Sequence, residues 1–353
     1  MSDLIAVLGG GSGGHTLAVD LSLRGFDVNL FESPQFAKNF KDVLSKKTIC
    51  VKGLINGGVK INNATTNIED AINDANAILV STPSYGQKPL AKLCAPHVKD
   101  QMILVFAANF GSMEFINELR KYGKDNIIVA EANTLPYGCR LVSPGKVSLS
   151  IFTPKIYTGV FPSVKTKSAI NYFQKLFPSI SPVETTLEAA LNNPNPLIHP
   201  TGMILNAGKI ESNEKFIFYD YMTASALKII QAKERERLAI GKKLGYNLIN
   251  YEKFSGISEN NRCEHFITSG SLAKLKAPKS LDDRYITEDI PYGLVLWSTL
   301  AKKIGVETPT IDAEIAIASA MHNVDYMKSG RTLESFGLAK YTVKEIKNFL
   351  KQG

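Results

Sequence analysis

Residues 4–32, LIAVLGGGSGGHTLAVDLSLRGFDVNLFE, decide the fold. Leu4–Leu8 is a continuous apolar run of strand type, broken at once by Gly9-Gly10-Gly11-Ser12-Gly13-Gly14. Leu17, Ala18 and Leu21 then recur at helical spacing, and Gly25 stands where a helix C-cap belongs. Asp27–Phe31 reads as a second strand, ending at Glu32. Strand, turn, helix and strand together make a unit of the length a βαβ motif needs.

Gly9, Gly11 and Gly14 satisfy the G-x-G-x-x-G pattern in the context that gives it meaning, after a strand and opening a helix. Gly9 permits the tight turn, Gly11 lets the backbone approach a pyrophosphate, and Gly14 lets the helix pack on the strand. Ser12 and Gly13 lie at the helix start, whose unsatisfied N–H groups and partial positive charge suit phosphates. Glu32 follows at the distance where a carboxylate can bond the adenosine ribose hydroxyls. A loop that was glycine-rich for flexibility alone would not bring strand, helix and acidic residue into agreement. Glu32 turns the cofactor choice toward NAD, because its charge would repel a 2′-phosphate, while Lys38 nearby keeps NADP open.

The alternation continues along the chain. Ala77–Val80 reads as a strand ending in Ser81-Thr82-Pro83, and Met102–Phe106 as another ending in Ala107-Ala108-Asn109-Phe110-Gly111. Ile127–Ala130 is a third, ending in Glu131-Ala132-Asn133-Thr134, and Glu114–Tyr122 reads as a helix. Unbroken apolar runs are what strands buried on both faces of a parallel sheet require, so this half is a doubly wound α/β domain. Ligands of such sheets sit at the carboxyl ends of the strands, which makes Pro83 and Asn109 candidates for the cofactor. Asn109 could contact the cofactor, but the favoured reading is a cap on the helix that follows. Glu131, Asn133 and Thr134 hold the matching position on the next strand, with no role assigned.

The segment FPSISPVE at 177–184 is rich in proline and serine and reads as a hinge. It divides the chain into residues 1–182 and 183–353. Beyond it helices dominate: Ala224–Leu244, ending at a glycine, then Val295–Ile304 and Ala313–Met321.

The 353 residues suit two domains, and 44% hydrophobic with 21% charged residues excludes a disordered chain. The net charge of +8 is scattered. Its short clusters, Lys233–Arg237 and Lys344–Lys351, read as solvated helix faces without interleaved aromatics, so no nucleic-acid partner is expected. No stretch approaches the roughly 18 apolar residues of a membrane span, so no membrane partner is expected. The opening MSDLIAVLGGG lacks the basic stretch and cleavage site of a signal peptide, so the expected compartment is the cytoplasm. Cys50, Cys94, Cys139 and Cys263 form no CxxC pair, and Cys263 with His265 lacks further ligands, so no metal is expected. A homodimer is compatible with the chain, since an isologous interface leaves no signature.

Two polar segments stand out in the second half. In NPNPLIHPTGMILN, residues 193–206, His199 precedes Pro200, which suits the first turn of a helix. His199, Met203 and Asn206 then share one face. In DDRYITEDIPYG, residues 282–293, charged residues lead into a rigid Pro-Tyr-Gly turn. Taken singly, such a histidine is more often structural and such a charge run more often solvated. Together they supply what a dehydrogenase needs. His199 can move the proton that accompanies hydride transfer, and Asp289 can fix its tautomer. Arg284 can grip a substrate carboxylate, and Asn206 and Tyr292 are further candidates to touch substrate.

These residues resemble the opine dehydrogenases, the family of octopine, nopaline and carboxyethyl-norvaline dehydrogenases. The likeness rests on VLGGGSGGHTLAVDLSLRG at the start, EANTLPYGCR at 131–140, NPNPLIHPTGMILNAG at 193–208, RYITEDIPYGL at 284–294 and GRTLESFGL at 330–338. One departure is AANFGS after the Met102–Phe106 strand, where a glycine-richer turn would match the relatives. The resemblance implies a Rossmann domain followed by an all-α domain like that of 6-phosphogluconate dehydrogenase, with the active site between them. It implies reductive condensation of an α-keto acid with the amino group of an amino acid. It also implies that His199 is the catalytic acid/base, Asp289 its partner and Arg284 the carboxylate anchor. Two alternatives remain: a ketopantoate-like or other hydroxyacid reductase, whose members usually place a lysine where His199 stands, and a non-catalytic NAD-binding regulator.

Overall fold

The computed structural model describes residues 2–251, 261, 263–265 and 274–353. It divides into two compact units, Met1–Ala190 with Lys344–Gly353, and Leu191–Val343.

The first unit is built on an eight-stranded sheet. Its strands include β1 (Leu4–Leu8), β2 (Asp27–Phe31), β5 (Asn63–Thr65), β6 (Ala77–Val80), β7 (Met102–Phe106), β8 (Val129–Ala132), β11 (Ile156–Phe161) and β12 (Ile180–Pro182). The order is β12-β11-β8-β7-β6-β1-β2-β5. Neighbours run parallel except β11, which lies antiparallel to β8. β1, β6 and β7 are buried apart from Leu4 and Met102 at their starts because helices cover the sheet, which is why they read as unbroken apolar runs. The helices of this unit are α1 (Ser12–Leu23), α2 (Lys41–Lys46), α3 (Ile68–Ile72), α4 (Ser84–Cys94), α5 (Ser112–Arg120), α6 (Thr166–Leu176) and α7 (Thr186–Leu191). This is a Rossmann-type dinucleotide-binding architecture.

A second sheet, absent from the sequence reading, joins β3 (Thr48–Gly53), β4 (Gly57–Lys60), β9 (Tyr137–Ser143) and β10 (Lys146–Phe152) in the order β4-β3-β10-β9. Ile49 and Val51 of β3 and Val147 and Leu149 of β10 turn inward toward α1, while Thr48, Cys50, Lys52 and Lys146 face out. The helix α1 is thereby packed on both sheets.

The sequence reading is corrected at the hinge. FPSISPVE is not a linker: it contributes β12, and Phe177 and Ile180 are buried in the core of the first unit. The contacts divide the chain at Ala190 and Leu191 rather than at residue 182. The closing helix returns to the first unit because Phe349 packs on Phe161, with ring centroids 5.2 Å apart, and lies under the Arg120 guanidinium at 4.7 Å.

The second unit is helical. It holds α8 (Asn195–Leu205), α9 (Ala207–Glu211), α10 (Ala224–Leu244), α11 (Arg284–Thr287), α12 (Val295–Ile304), α13 (Pro309–His322) and α14 (Tyr326–Ser329); α15 (Val343–Gln352) ends the chain. Asp289–Leu294 forms a π-helical turn between α11 and α12. α10 ends at Gly245 with φ of 74°, the left-handed cap its terminal glycine foretells. Lys233–Arg237 on α10 is not a solvated face: Lys233 and Arg237 are fully buried, each beside a carboxylate. No helix among the described residues is long and apolar enough to cross a membrane.

Candidate active site

The glycine turn has the form a pyrophosphate needs. Gly9 takes a φ of +109°, and a Cβ on Gly14 would strike the Gly9 carbonyl, so helix and strand meet there at backbone distance. Gly13 lies against the Ser81 hydroxyl, closing the wall toward β6. At Gly11 no heavy atom lies within 4 Å of where a Cβ would stand, so the helix opening is clear where a phosphate would approach. Ser12 Oγ accepts from the Leu141 N–H at 2.9 Å, anchoring the start of α1 to β9 and leaving its own proton for an anion.

Glu32 closes the β2 side. Its Oε2 accepts from the Gly10 N–H at 3.0 Å and its Oε1 from the Ser33 N–H at 2.7 Å. Burial raises its pKa above the usual carboxylate value, and these two donors pull it back. The fixed carboxylate retains lone pairs for ribose hydroxyls. Pro83 stands at the N-cap of α4, at the end of β6.

Asn109 differs from the cap reading. Its amide donates to Ser84 Oγ at 3.3 Å, at the start of α4, and the cap of α5 is supplied by Glu131 instead. The fully buried Glu131 carboxylate accepts from Phe110 N at 2.5 Å, Ser112 N at 3.0 Å and Ser112 Oγ at 2.6 Å. Ala107, Asn109 and Phe110 all carry positive φ, of 48°, 50° and 67°. Three non-glycine residues in this region cost energy, and the Glu131 bonds hold the loop there in place of the glycines expected at AANFGS.

In the helical unit, α8 begins at Asn195 with Pro196 in its first turn, so Pro200 lies inside the helix and His199 in the second turn, not at the entrance. His199 Nδ1 is 2.7 Å from Asp289 Oδ2, and both side chains are buried. The imidazole stacks on Tyr285 with centroids 3.6 Å apart and planes 8° from parallel. Tyr285 packs in turn on Phe218 at 5.3 Å. The Asp289 carboxylate and the Tyr285 ring thus both hold the imidazole. Burial pushes the Asp289 carboxyl up to about 7, while the cations of Arg284 and Lys233 pull it down.

Arg284 opens α11, its side chain 47% exposed, with Nη1 3.5 Å from Glu288 Oε2 and its carbon 5.6 Å from the Tyr285 ring centre. His199, Asp289 and Arg284 therefore gather around Tyr285, a residue to which the sequence reading assigned no role although it follows Arg284 directly. Asn206 caps α8 and its amide donates back to the Gly202 carbonyl at 2.9 Å. Tyr292, on the π-helical turn, lies under the buried Arg331 at 4.9 Å. The GRTLESFGL segment supports that turn, since Arg331 N donates to the Pro291 carbonyl at 2.7 Å.

A glycine turn between strand and helix, a carboxylate at the end of the next strand and a histidine held by a buried carboxylate are what an NAD(P)-dependent oxidoreductase requires. Residues 182–322 match the family model described as NAD/NADP octopine/nopaline dehydrogenase, alpha-helical domain. Residues 4–110 match the N-terminus of NAD-dependent glycerol-3-phosphate dehydrogenase. The chain is 29% identical over 355 residues to an opine dehydrogenase of Arthrobacter sp. (strain 1C), covering 98% of each. It is 28% identical over 342 residues to the protein ocs of Agrobacterium tumefaciens (strain Ach5), covering 95% of each. Among solved structures it resembles an octopine dehydrogenase in complex with NADH and agmatine, with a TM-score of 0.78 at 20% identity, covering 100% of this chain and 98% of that one. Over nearly its whole length the chain is thus similar to opine dehydrogenases.

Proposed function

We propose that the protein catalyses the NADH-dependent reductive condensation of an α-keto acid with the amino group of an amino acid. Keto acid, amine, NADH and a proton become a secondary amine dicarboxylate, NAD and water. The observation that carries this reading is the buried 2.7 Å contact between His199 and Asp289 on a domain of the octopine/nopaline type. The glycine turn Gly9–Gly14 fits the cofactor, with open space at Gly11 and close backbone packing at Gly14. Ser12, Gly13 and the α1 N-terminus would hold the pyrophosphate, Glu32 the adenosine ribose, and Pro83 and Asn109 the strand ends beyond. When bound, NADH supplies the hydride that reduces the imine.

The remaining work falls to this chain's own side chains. His199, oriented through Nδ1 by Asp289, presents Nε2 to the substrate and gives or takes the proton at nitrogen. The carboxylate stabilises the imidazolium that forms, as in triads where a buried aspartate holds a histidine. Tyr285 prevents the ring from turning. Arg284, half exposed and tethered on one edge by Glu288, offers its free edge to a substrate carboxylate. Asn206 and Tyr292 are assigned to the amino-acid substrate. Fixing two small acids in one orientation removes much of the entropic barrier to their reaction.

The test is the rate of NADH oxidation, followed by nicotinamide absorbance, across pairs of keto acids and amino acids with each single-substrate control and NADPH alongside. Turnover that demands both partners is expected. Turnover with keto acid alone would place the protein with the hydroxyacid reductases.

A further inference from the structure

We propose that Lys233 is a positioning residue for the His199–Asp289 pair, holding α8 at the break that Pro200 makes beside the histidine. The inference rests on the dehydrogenase reading above and deepens it. Proline has no N–H, so Pro200 cannot donate to the carbonyl four residues earlier, and its ring crowds that carbonyl. The carbonyl in question is that of Pro196, within the same helix. A buried carbonyl without a donor is costly. Here the donor is Lys233 Nζ, 3.1 Å away across from α10.

The same ammonium lies 2.6 Å from Glu314 Oε2 on α13, and Glu314 Oε1 accepts from Thr201 Oγ1 at 2.5 Å. One wholly buried cation thus holds α8 on both sides of His199, directly at Pro196 and through Glu314 at Thr201. A plain ion pair joining α10 to α13 would need only Glu314. The bond to the carbonyl that Pro200 orphans, and the threonine link back to the same helix, are what tie Lys233 to the histidine. Glu236, one turn further along α10, caps α13 through the N–H groups of Thr310 and Ile311 at 2.8 and 3.0 Å. Its bonds fix the height of α13, and therefore of Glu314.

The charge acts as well as the bonds. Asp289 is faced by His199 from α8, Lys233 from α10, Arg284 from α11 and Asp283 just before it. The two cations favour its ionised form and Asp283 opposes it. Lys233 itself is pulled toward the neutral form by burial and held charged by Glu314, Asp289 and Glu236. Without the Lys233 charge, Asp289 keeps its proton to higher pH. The orientation of His199 and the charge behind it are then both weakened by one substitution.

The experiment compares the full-length wild type with Lys233→Met/Glu314→Gln, which removes both charges so that neither is left buried alone. Expected are unchanged NADH affinity by fluorescence, a fall in kcat of at least tenfold, and an acid limb of the kcat profile displaced to higher pH. A folded variant with wild-type kcat and an unmoved limb overturns the proposal, as does a variant that loses thermal stability alone. If the double variant does not fold, Thr201→Val removes the hydroxyl link to Glu314, together with its weaker 3.4 Å contact to the Leu197 carbonyl, and leaves both charges in place. It is expected to lower kcat several-fold with the limb in place, and wild-type kcat there overturns the proposal. A wild type with no two-substrate turnover defeats the dehydrogenase reading itself, an outcome distinct from a variant that matches an active wild type.

Discussion

Replacing Asp289 by asparagine keeps the size of the side chain and removes its charge. The carboxylate is buried, and its partner His199 is 2.7 Å away with its other face covered by Tyr285. Solvent therefore cannot replace what is lost, and an imidazolium formed in the reaction would stand uncompensated. Breaking a buried charged pair from one side costs about 3–5 kcal/mol. At about 1.4 kcal/mol per power of ten, that is a loss of roughly a hundred- to several-thousandfold in kcat. An asparagine amide facing Nδ1 also favours the wrong tautomer. The pH profile carries a second signature. The Asp289 carboxyl is pushed up to about 7, so it holds its proton to higher pH than an ordinary aspartate. Below that pH it is neutral and supports no imidazolium, so wild-type turnover falls as pH drops through about 7. The variant has no such group to titrate. Steady-state rates across pH, with NADH affinity measured by fluorescence quenching, test both points. A variant within tenfold of wild type, or one that loses NADH binding along with turnover, would refute the reasoning.

The other substitutions separate the roles. Arg284→Lys keeps the charge but loses the bidentate fork, so KM for the keto acid is expected to rise about tenfold or more with NADH affinity unchanged; an unchanged KM in steady-state assays contradicts the anchor role. Gly11→Ala meets no protein atom within 4 Å and is expected to leave the melting temperature unchanged while weakening NADH binding, both measurable on one preparation. Gly14→Ala would drive a Cβ into the Gly9 carbonyl, and is expected to lower the melting temperature as well. Glu32→Gln removes the charge that repels a 2′-phosphate, so the ratio of kcat/KM for NADPH to that for NADH is expected to rise by roughly tenfold, about 1.4 kcal/mol. An unmoved ratio would show that Glu32 does not face the ribose.

Much of the first unit is legible from local pattern, and for one reason. β1, β6 and β7 are buried on both faces, so burial writes itself as unbroken apolar runs whose ends match the observed strands, and β2 is found through its place after the glycine turn and helix. Ile127–Ala130 is displaced by two residues from the observed Val129–Ala132, because Glu131 lies inside the strand, its buried carboxylate bonded to the N–H groups of Phe110 and Ser112. The second sheet leaves a fainter trace. In TICVKG only Ile49 and Val51 are inward, and the strand is completed by β10, nearly a hundred residues away. A sequence window contains neither the partner nor the outer face. The same limit explains Lys233–Arg237, whose charges look solvated until Glu314, Leu191 and Ile249 are brought to them by the fold. FPSISPVE hides an edge strand, which tolerates proline where a central strand would not. His199 and Asp289, 90 residues apart, were joined by the chemistry a dehydrogenase needs and then by family likeness, not by spacing. Their contact is the part of the site that only the fold makes visible.

The central claim concerns which bond is reduced, and isotope transfer tests it most directly. The protein is given NADH deuterated at the transferring position, a keto acid and an amino acid, and the product is weighed and fragmented by mass spectrometry. The expected product joins both substrates through a secondary amine, with one deuterium on the former keto carbon. Deuterium recovered instead in a free hydroxy acid, with the amino acid untouched, would contradict the claim.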